Sequence, residues 1–328
     1  MKNREVRLAR RPQGEPAPED FELVEVELPD PGDGRLLVRN RFMSVDPYMR
    51  GRMSDAPSYA PPYELGKVMY GGAVGEVVSG DEAGTLVVHQ LGWREHAIVD
   101  ASHVRRAAVP DGVSPTALLG ALGMPGLTAW VGVTDIAPVA EGETVFVSAA
   151  AGAVGSVAGQ IAKARGCRVV GSAGAPEKVA YVREELGFDA AFSHRDDVPA
   201  ALREAAPAGV DVYFDNVGGP QLEAVIGVLN EGGRIALCGS VSQYNATEPA
   251  PGPRNLSQLV GKRGRMRGFI VTDHADRDPD FRAEVGALIA AGRLSLAETI
   301  VDGGIEAAPG AFTAMLRGEH LGKVVVRL

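Results

Sequence analysis

At 328 residues, 45% hydrophobic and 23% charged, the chain has the composition of a soluble globular protein. It is longer than one compact core ordinarily uses, so two domains are expected. A formal net charge of −9 argues against nucleic acid or an anionic membrane as the main partner. No apolar run reaches the roughly 18 residues of a membrane span. The opening Met1-Lys2-Asn3-Arg4 leads into polar sequence rather than a signal peptide, and the only cysteines, Cys167 and Cys238, fall in expected buried strands and read as small core residues rather than a disulfide, so a cytoplasmic protein is expected.

The first third of the chain reads as β-rich. Apolar and charged residues alternate from Phe21 to Leu28 and resume from Gly34 to Val38. The Pro29-Asp30-Pro31-Gly32-Asp33-Gly34 turn between them predicts an antiparallel pair. Asp46 followed by Pro47 has the order of a helix cap and a first helical residue. Short strands are expected over 73–78, 85–88 and 96–99, giving a barrel-like domain.

A helix beginning at Met124-Pro125-Gly126-Leu127-Thr128-Ala129-Trp130 opens the second domain. It leads to a βαβ unit: an apolar strand Thr144–Ser148, a small-residue turn Ala149–Gly155, a helix pattern from Ser156 to Arg165, and a strand from Cys167 to Gly171. A turn of this kind lets backbone N–H groups at a helix N-terminus approach a pyrophosphate, because side chains there are absent or small. Ala150 stands where the first glycine of G-x-G-x-x-G would be, with Gly152 and Gly155 in the other two places. An NAD enzyme usually carries an acid about 20 residues beyond the glycines. Here Gly171-Ser172-Ala173-Gly174 is neutral and Lys178 follows, so NADP is the expected cofactor. Strand patterns recur near Val145, Val169, Ala191, Val212, Ile235 and Met266, with helical stretches at 176–186, 220–229 and 281–291. That alternation predicts a doubly wound, six-stranded parallel sheet. The tail Leu321–Leu328 is strand-like and is expected to return to the first domain.

A β-rich domain, an inserted Rossmann domain and a returning tail together resemble the medium-chain dehydrogenase/reductase superfamily. Within it, six segments resemble the zinc-independent, NADP-dependent alkenal/one reductases, the group of leukotriene B4 12-hydroxydehydrogenases and 15-oxo-prostaglandin 13-reductases. They are Val45–Arg50, Met124–Ala129, Ala149–Gly155, Asp215–Gly219, Gly239–Asn245 and Leu321–Lys323. The resemblance implies a GroES-like barrel over 1–123 plus 298–328, a Rossmann domain over 124–297, and a homodimer. It also implies that Ala151, Gly152, Val154, Gly174, Lys178, Asn216, Cys238, Gly239, Ser242 and Tyr244 line the cofactor. Thr128 would lie near the nicotinamide, with Phe269 to Val271 along its far edge. Two positions depart from the family pattern. Ser193-His194 replaces Asn-Tyr at the adenosine end, leaving His194 to meet the 2′-phosphate, and His320 replaces the Asn before Leu-Gly-Lys. The stretch between Tyr63 and Trp93 is shortened.

The residues restrict the chemistry further. A catalytic zinc needs about three converging Cys, His or carboxylate ligands. The first domain has no cysteine, and His89, His96 and His103 lie on short strands and turns that do not bring them together, so no metal is expected. Conjugate reduction needs a hydride donor and a group that stabilises the enolate oxygen. Tyr244, acting directly or through the nicotinamide ribose hydroxyl, is the leading candidate and Tyr48 the second, since an unperturbed phenol keeps its proton up to a pH of about 10. Arg50 is expected to brace structure. NADPH-dependent reduction of enals and enones is the favoured activity. A quinone oxidoreductase of the same fold and a non-catalytic NADPH-binding sensor stay open at this stage.

Overall fold

A computed structural model describes residues 1–328. The chain divides into two compact units, Met1–Leu119 with Glu298–Leu328, and Gly120–Ala297.

In the first unit, β1 (Lys2–Leu8) and β2 (Phe21–Glu27) form an antiparallel ribbon in continuous register from Lys2 opposite Glu27 to Leu8 opposite Phe21. Strands β3 (Arg35–Ser44), β4 (Ala73–Val77), β5 (Leu86–His89), β6 (His96–Asp100) and β7 (Arg105–Arg106) belong to a second sheet. The expected pairing across the Pro29–Gly34 turn is therefore corrected: β2 pairs with β1, while β3 pairs with β4, β6 and the C-terminal strand. Burial explains the difference. The ribbon carries Val6, Leu8 and Phe21 into a core with Trp93 and Phe312, where the Phe21 and Trp93 rings stack at 6.1 Å. The ten-residue β3 buries Val38, Asn40, Met43 and Ser44, the signature of a central strand that needs partners on both edges.

The expected Asp46 cap is also corrected. The helix Tyr48–Arg52 has no side-chain cap. The Asp46 carboxylate turns inward instead, accepting from Lys323 Nζ at 2.8 Å and from Ser44 Oγ. Lys323 also donates to the Val45 carbonyl at 2.8 Å. Both charges are buried, so the pair ties the C-terminal strand to the entry of that helix.

In the second unit the six expected strands are β8 (Thr144–Val147), β9 (Arg168–Ala173), β10 (Ala190–Ser193), β11 (Val210–Asp215), β12 (Leu229–Leu237) and β13 (Arg265–Gly268). All pair in parallel, in the order β10-β9-β8-β11-β12-β13. The order reverses direction between β8 and β11, and in such sheets ligands bind outside the carboxyl ends of the strands at that switch point. The sheet is apolar because helices cover both faces. Phe146 stacks between Phe192 (5.6 Å) and Tyr213 (5.1 Å) in its core. Cys167 lies just before β9 and Cys238 just after β12, both as free thiols. Burial pushes the Cys238 thiol up to about 12.

The last strands return to the first unit. β14 (Glu298–Val301) runs parallel to β15 (Lys323–Arg327), and β15 pairs antiparallel with β3.

Candidate active site

The turn after β8 is shaped by close backbone approaches. Ala149 takes a φ of 49°, and its carbonyl would stand 2.4 Å from any Cβ at Gly155, so only glycine can begin the helix Gly155–Ala164 there. Ala150 in the first glycine position is compensated across the sheet. A Cβ at Gly171 would meet the Ala150 methyl at 2.8 Å, so the glycine on β9 supplies the space that the alanine takes. Ala151 is buried, and Gly152 and Val154 are half-buried in the turn. The result is an uncluttered helix N-terminus at the switch point, where backbone N–H groups and the helix dipole favour an anion.

The end of β9 shows why the acid position is silent. Ser172 is fully buried and its hydroxyl donates to Gln221 Oε1 at 2.6 Å, so that side chain is engaged within the protein. Beyond it, Gly174 lies against His194, whose ring carbon would be 3.0 Å from a Cβ there. Lys178, in the first turn of the helix Pro176–Glu184, is buried rather than a solvated helix-start lysine. Its ammonium is held below its ordinary value first by burial and then by the charge of Arg195, against the pull of Glu177. Burial likewise lowers the His194 imidazole, and Arg195 and Lys178 add to it. Three basic groups thus share one neighbourhood. Arg195 was missed in the sequence, although its place directly after His194 was the available signal.

Across the switch point, Asp215 closes β11 and ties two turns together. Its Oδ1 accepts from Tyr213 Oη (2.7 Å), Val217 N (2.9 Å) and Gly218 N (2.7 Å). Its carbonyl accepts from Cys238 N and Gly239 N. Asn216 N donates to Ser148 Oγ at 3.0 Å and its Nδ2 to the Ser148 carbonyl at 2.8 Å, which fixes Asn216 beside the end of β8. The second turn hangs on the first. Val241 N bonds the Asn216 carbonyl, and Ser242 bonds the Val217 carbonyl through both N and Oγ, the latter at 2.6 Å. This arrangement carries Tyr244 back over Gly239, where a Cβ would stand 3.2 Å from the Tyr244 hydroxyl and 3.3 Å from the Asn216 carbonyl. Gly239 is therefore a close-approach glycine, and Tyr244 is half-buried above it. Asp215 was missed as an organiser; a single acid ending the apolar run Val-Tyr-Phe was the sequence signal.

Beside these turns lies a cavity of about 610 Å³, walled by Leu222, Leu237, Pro251, Phe269 and Ile270 among others. Phe269 and Val271 flank the end of β13, with the Phe269 ring edge-on to His274 at 6.4 Å. Thr128 is half-exposed on the helix Met124–Val131, and its hydroxyl donates to the Met124 carbonyl. That helix is braced by Trp130, whose Nε1 donates to Glu284 at 2.7 Å.

In the first unit, Tyr48 is half-buried, and burial beside Asp46 pushes its phenol above the ordinary value. Arg50 is buried and braces the loop at 12–14 through the Gly14 carbonyl at 2.8 Å. Nowhere do three or more His, Cys, Asp or Glu side chains gather closely enough to hold a metal ion.

The observed features fit a phosphorylated dinucleotide: a turn of small residues with a close-approach glycine at the helix start, and a basic neighbourhood where an NAD enzyme would carry an acid. Comparisons with known proteins agree. Residues 4–107 match the family described as N-terminal domain of oxidoreductase, and residues 153–290 the one described as zinc-binding dehydrogenase. The chain is 44% identical to the NADPH-dependent curcumin reductase of Escherichia coli, over 100% of this chain and 97% of that protein. It is 43% identical to prostaglandin reductase 1 of Rattus norvegicus, over 96% of each. The crystal structure of CurA in complex with NADPH from Vibrio vulnificus superposes with a TM-score of 0.94 at 43% identity, covering 99% of this chain and 98% of that one.

Proposed function

We propose that this chain, which belongs to the medium-chain dehydrogenase/reductase family and within it to the NADP-dependent alkenal/one reductase group, reduces the carbon–carbon double bond of α,β-unsaturated aldehydes and ketones and leaves the carbonyl intact. The observation that carries the chemistry is the Tyr244 phenol folded back over Gly239 at the carboxyl end of the parallel sheet. NADPH, when bound, supplies the hydride for the β-carbon. The turn Ala149–Gly155 would hold its pyrophosphate on helix N–H groups. Lys178, His194 and Arg195 would meet the 2′-phosphate. Thr128, Gly239, Phe269 and Val271 would bound the nicotinamide, and Asn216, Cys238 and Ser242 the adjoining ribose turn. As the double bond is reduced, negative charge gathers on the substrate carbonyl oxygen, and the Tyr244 hydroxyl donates to it there. Tyr48 is kept as the second candidate donor, and burial raises its phenol above its ordinary value.

The same reading holds the enzyme to be metal-free, since no suitable ligand group gathers and enolate charge is left to hydroxyl donors. It also holds it to be a cytoplasmic homodimer. No helix is long and apolar enough to cross a membrane, and both cysteines are free thiols. β13 has a neighbour on one side only, and Leu256 (43%) and Val260 (80%) are exposed in the segment leading to it, which suits a second copy added edge to edge.

Incubation with NADPH and a trans-2-enal, followed by mass spectrometry, tests the reaction. The saturated aldehyde is the expected product; an allylic alcohol as the main product would overturn the double-bond assignment.

A further inference from the structure

The segment that follows β13 has little inside the protein to hold it. From Arg267 to Asp280 no residue is buried, and the next buried side chain is Phe281. Its helical turns, Val271–Arg277, are interrupted at His274. The only side-chain hydrogen bonds that leave it are those of Arg277, whose Nε and Nη2 donate to the two carboxylate oxygens of Asp135 at 2.9 and 3.3 Å. The same guanidinium lies over the Trp130 ring, 4.9 Å from its centre. Both partners stand on a well-braced element. Asp135 belongs to the π-helical turn Gly132–Ile136 that continues the helix Met124–Val131. Arg165 fixes that turn by donating to the Val133 carbonyl and to Thr134 Oγ1. Trp130 is buried with its indole N–H on Glu284, which Arg165 also holds. A segment without buried apolar contacts opens locally at little cost. A partly exposed ion pair adds little to the stability of a whole domain, so the Arg277 contact matters chiefly for where this segment sits.

We propose that Arg277 is a positioning residue for the hydride transfer: its clamp on Trp130 and Asp135 holds the wall Phe269–Val271 in a fixed place relative to Thr128. The inference rests on the reductase reading given above, in which these residues bound the nicotinamide. Phe269 to Val271 open the segment that Arg277 closes, and Thr128 stands on the helix that carries Trp130. The contact therefore ties one wall to the element bearing the other. A misplacement of about 1 Å at the reacting atoms is enough to cost a large part of the rate, so a wall free to drift slows the reaction. The adenosine end is independent of the clamp, because Lys178, His194 and Arg195 follow β9 and β10, at the opposite edge of the sheet from β13. The planar fork and the face of the guanidinium both take part, so a lysine replaces it incompletely.

The test compares the full-length wild type with Arg277→Gln, Asp135→Asn and the two combined. Without cofactor, hydrogen–deuterium exchange over 269–277 should quicken about tenfold in each single variant, while β8 and β11 keep their protection. By calorimetry, NADPH should bind several-fold more weakly, and adenosine 2′,5′-bisphosphate, which lacks the nicotinamide, should bind as before. With a trans-2-enal, kcat should fall about tenfold. The double variant should be no worse than Arg277→Gln, since both break one contact, and Arg277→Lys should recover part of the loss. Unchanged exchange over 269–277 would overturn the clamp. Faster exchange with unchanged NADPH binding and kcat would overturn its positioning role, and so would equal losses for NADPH and the bisphosphate. If exchange quickens and NADPH alone binds more weakly, yet the wild type reduces no enal, the clamp on the nicotinamide wall stands and the reaction is misassigned.

Discussion

At the scale of single residues, the proposed function rests on two side chains with separable duties. Tyr244 is held over Gly239 by a turn anchored on Asn216 and Val217, so its hydroxyl costs little to orient during reaction. Tyr244→Phe keeps the ring and removes the donor. It should lower kcat about tenfold to a thousandfold, as for a lost oxyanion donor, while NADPH affinity falls much less. A fully active Phe variant would remove Tyr244 from the mechanism. Lys178 is buried, and Arg195 and His194 beside it make a basic neighbourhood suited to a phosphate. Lys178→Ala should weaken NADPH binding by about 1–3 kcal/mol, roughly tenfold to a hundredfold, and scarcely change NADH binding. Equal losses for both cofactors would show that Lys178 does not read the phosphate.

At the scale of elements, the return of the chain to its first unit buries one ion pair and half-buries a further carboxyl. β15 carries Lys323 to Asp46, and β14 carries Glu298 to Thr116, whose hydroxyl donates to Glu298 Oε2 at 2.5 Å. Glu298 Oε1 is buried without a partner. Burial holds this carboxyl above its ordinary value of 4.5, against the pull of Thr116 and Lys323. A carboxyl raised on folding stabilises the fold most when protonated, so its contribution is complete below pH 4.5 and is lost as the pH rises through the folded value. Glu298→Gln lacks that titration. The stability of the wild type relative to this variant should therefore decline as the pH rises from acid to neutral, measured by urea unfolding at a series of pH values. A difference independent of pH would show that Glu298 titrates alike in both states.

At the scale of the whole molecule, the open edge of the parallel sheet is the feature that most needs an explanation. β13 is short and charged, with exposed Arg265 and Arg267, which blunts promiscuous pairing without forbidding a symmetric partner. The nearby exposed Val260 adds an apolar surface that an isolated monomer would leave in water. Light scattering should give twice the 34.3 kDa chain mass at micromolar concentration. Val260→Asp should shift the population toward the monomer. A wild-type monomer under those conditions would refute the dimer.

The parallel sheet was legible in the sequence because each of its strands is a short apolar run, such as Thr144–Val147 or Val210–Asp215, set apart by a helical stretch, and burial on both faces imposes that pattern locally. The turn Ala149–Gly155 was legible for a similar reason, since a backbone that approaches phosphate admits only small residues. What the sequence could not decide was which distant groups meet. The alternation of Phe21–Glu27 suits several antiparallel partners, and only the burial of Val6 and Leu8 against Trp93 makes β1 the one chosen. Asp46-Pro47 carries a cap signal, yet a lysine 277 residues away takes the carboxylate. The local signals of Asp215 and Arg195 left their partners undecided for the same physical reason: hydrogen bonds and charges act over a few ångströms of space, and residues far apart in the chain reach that range only once the strands are packed.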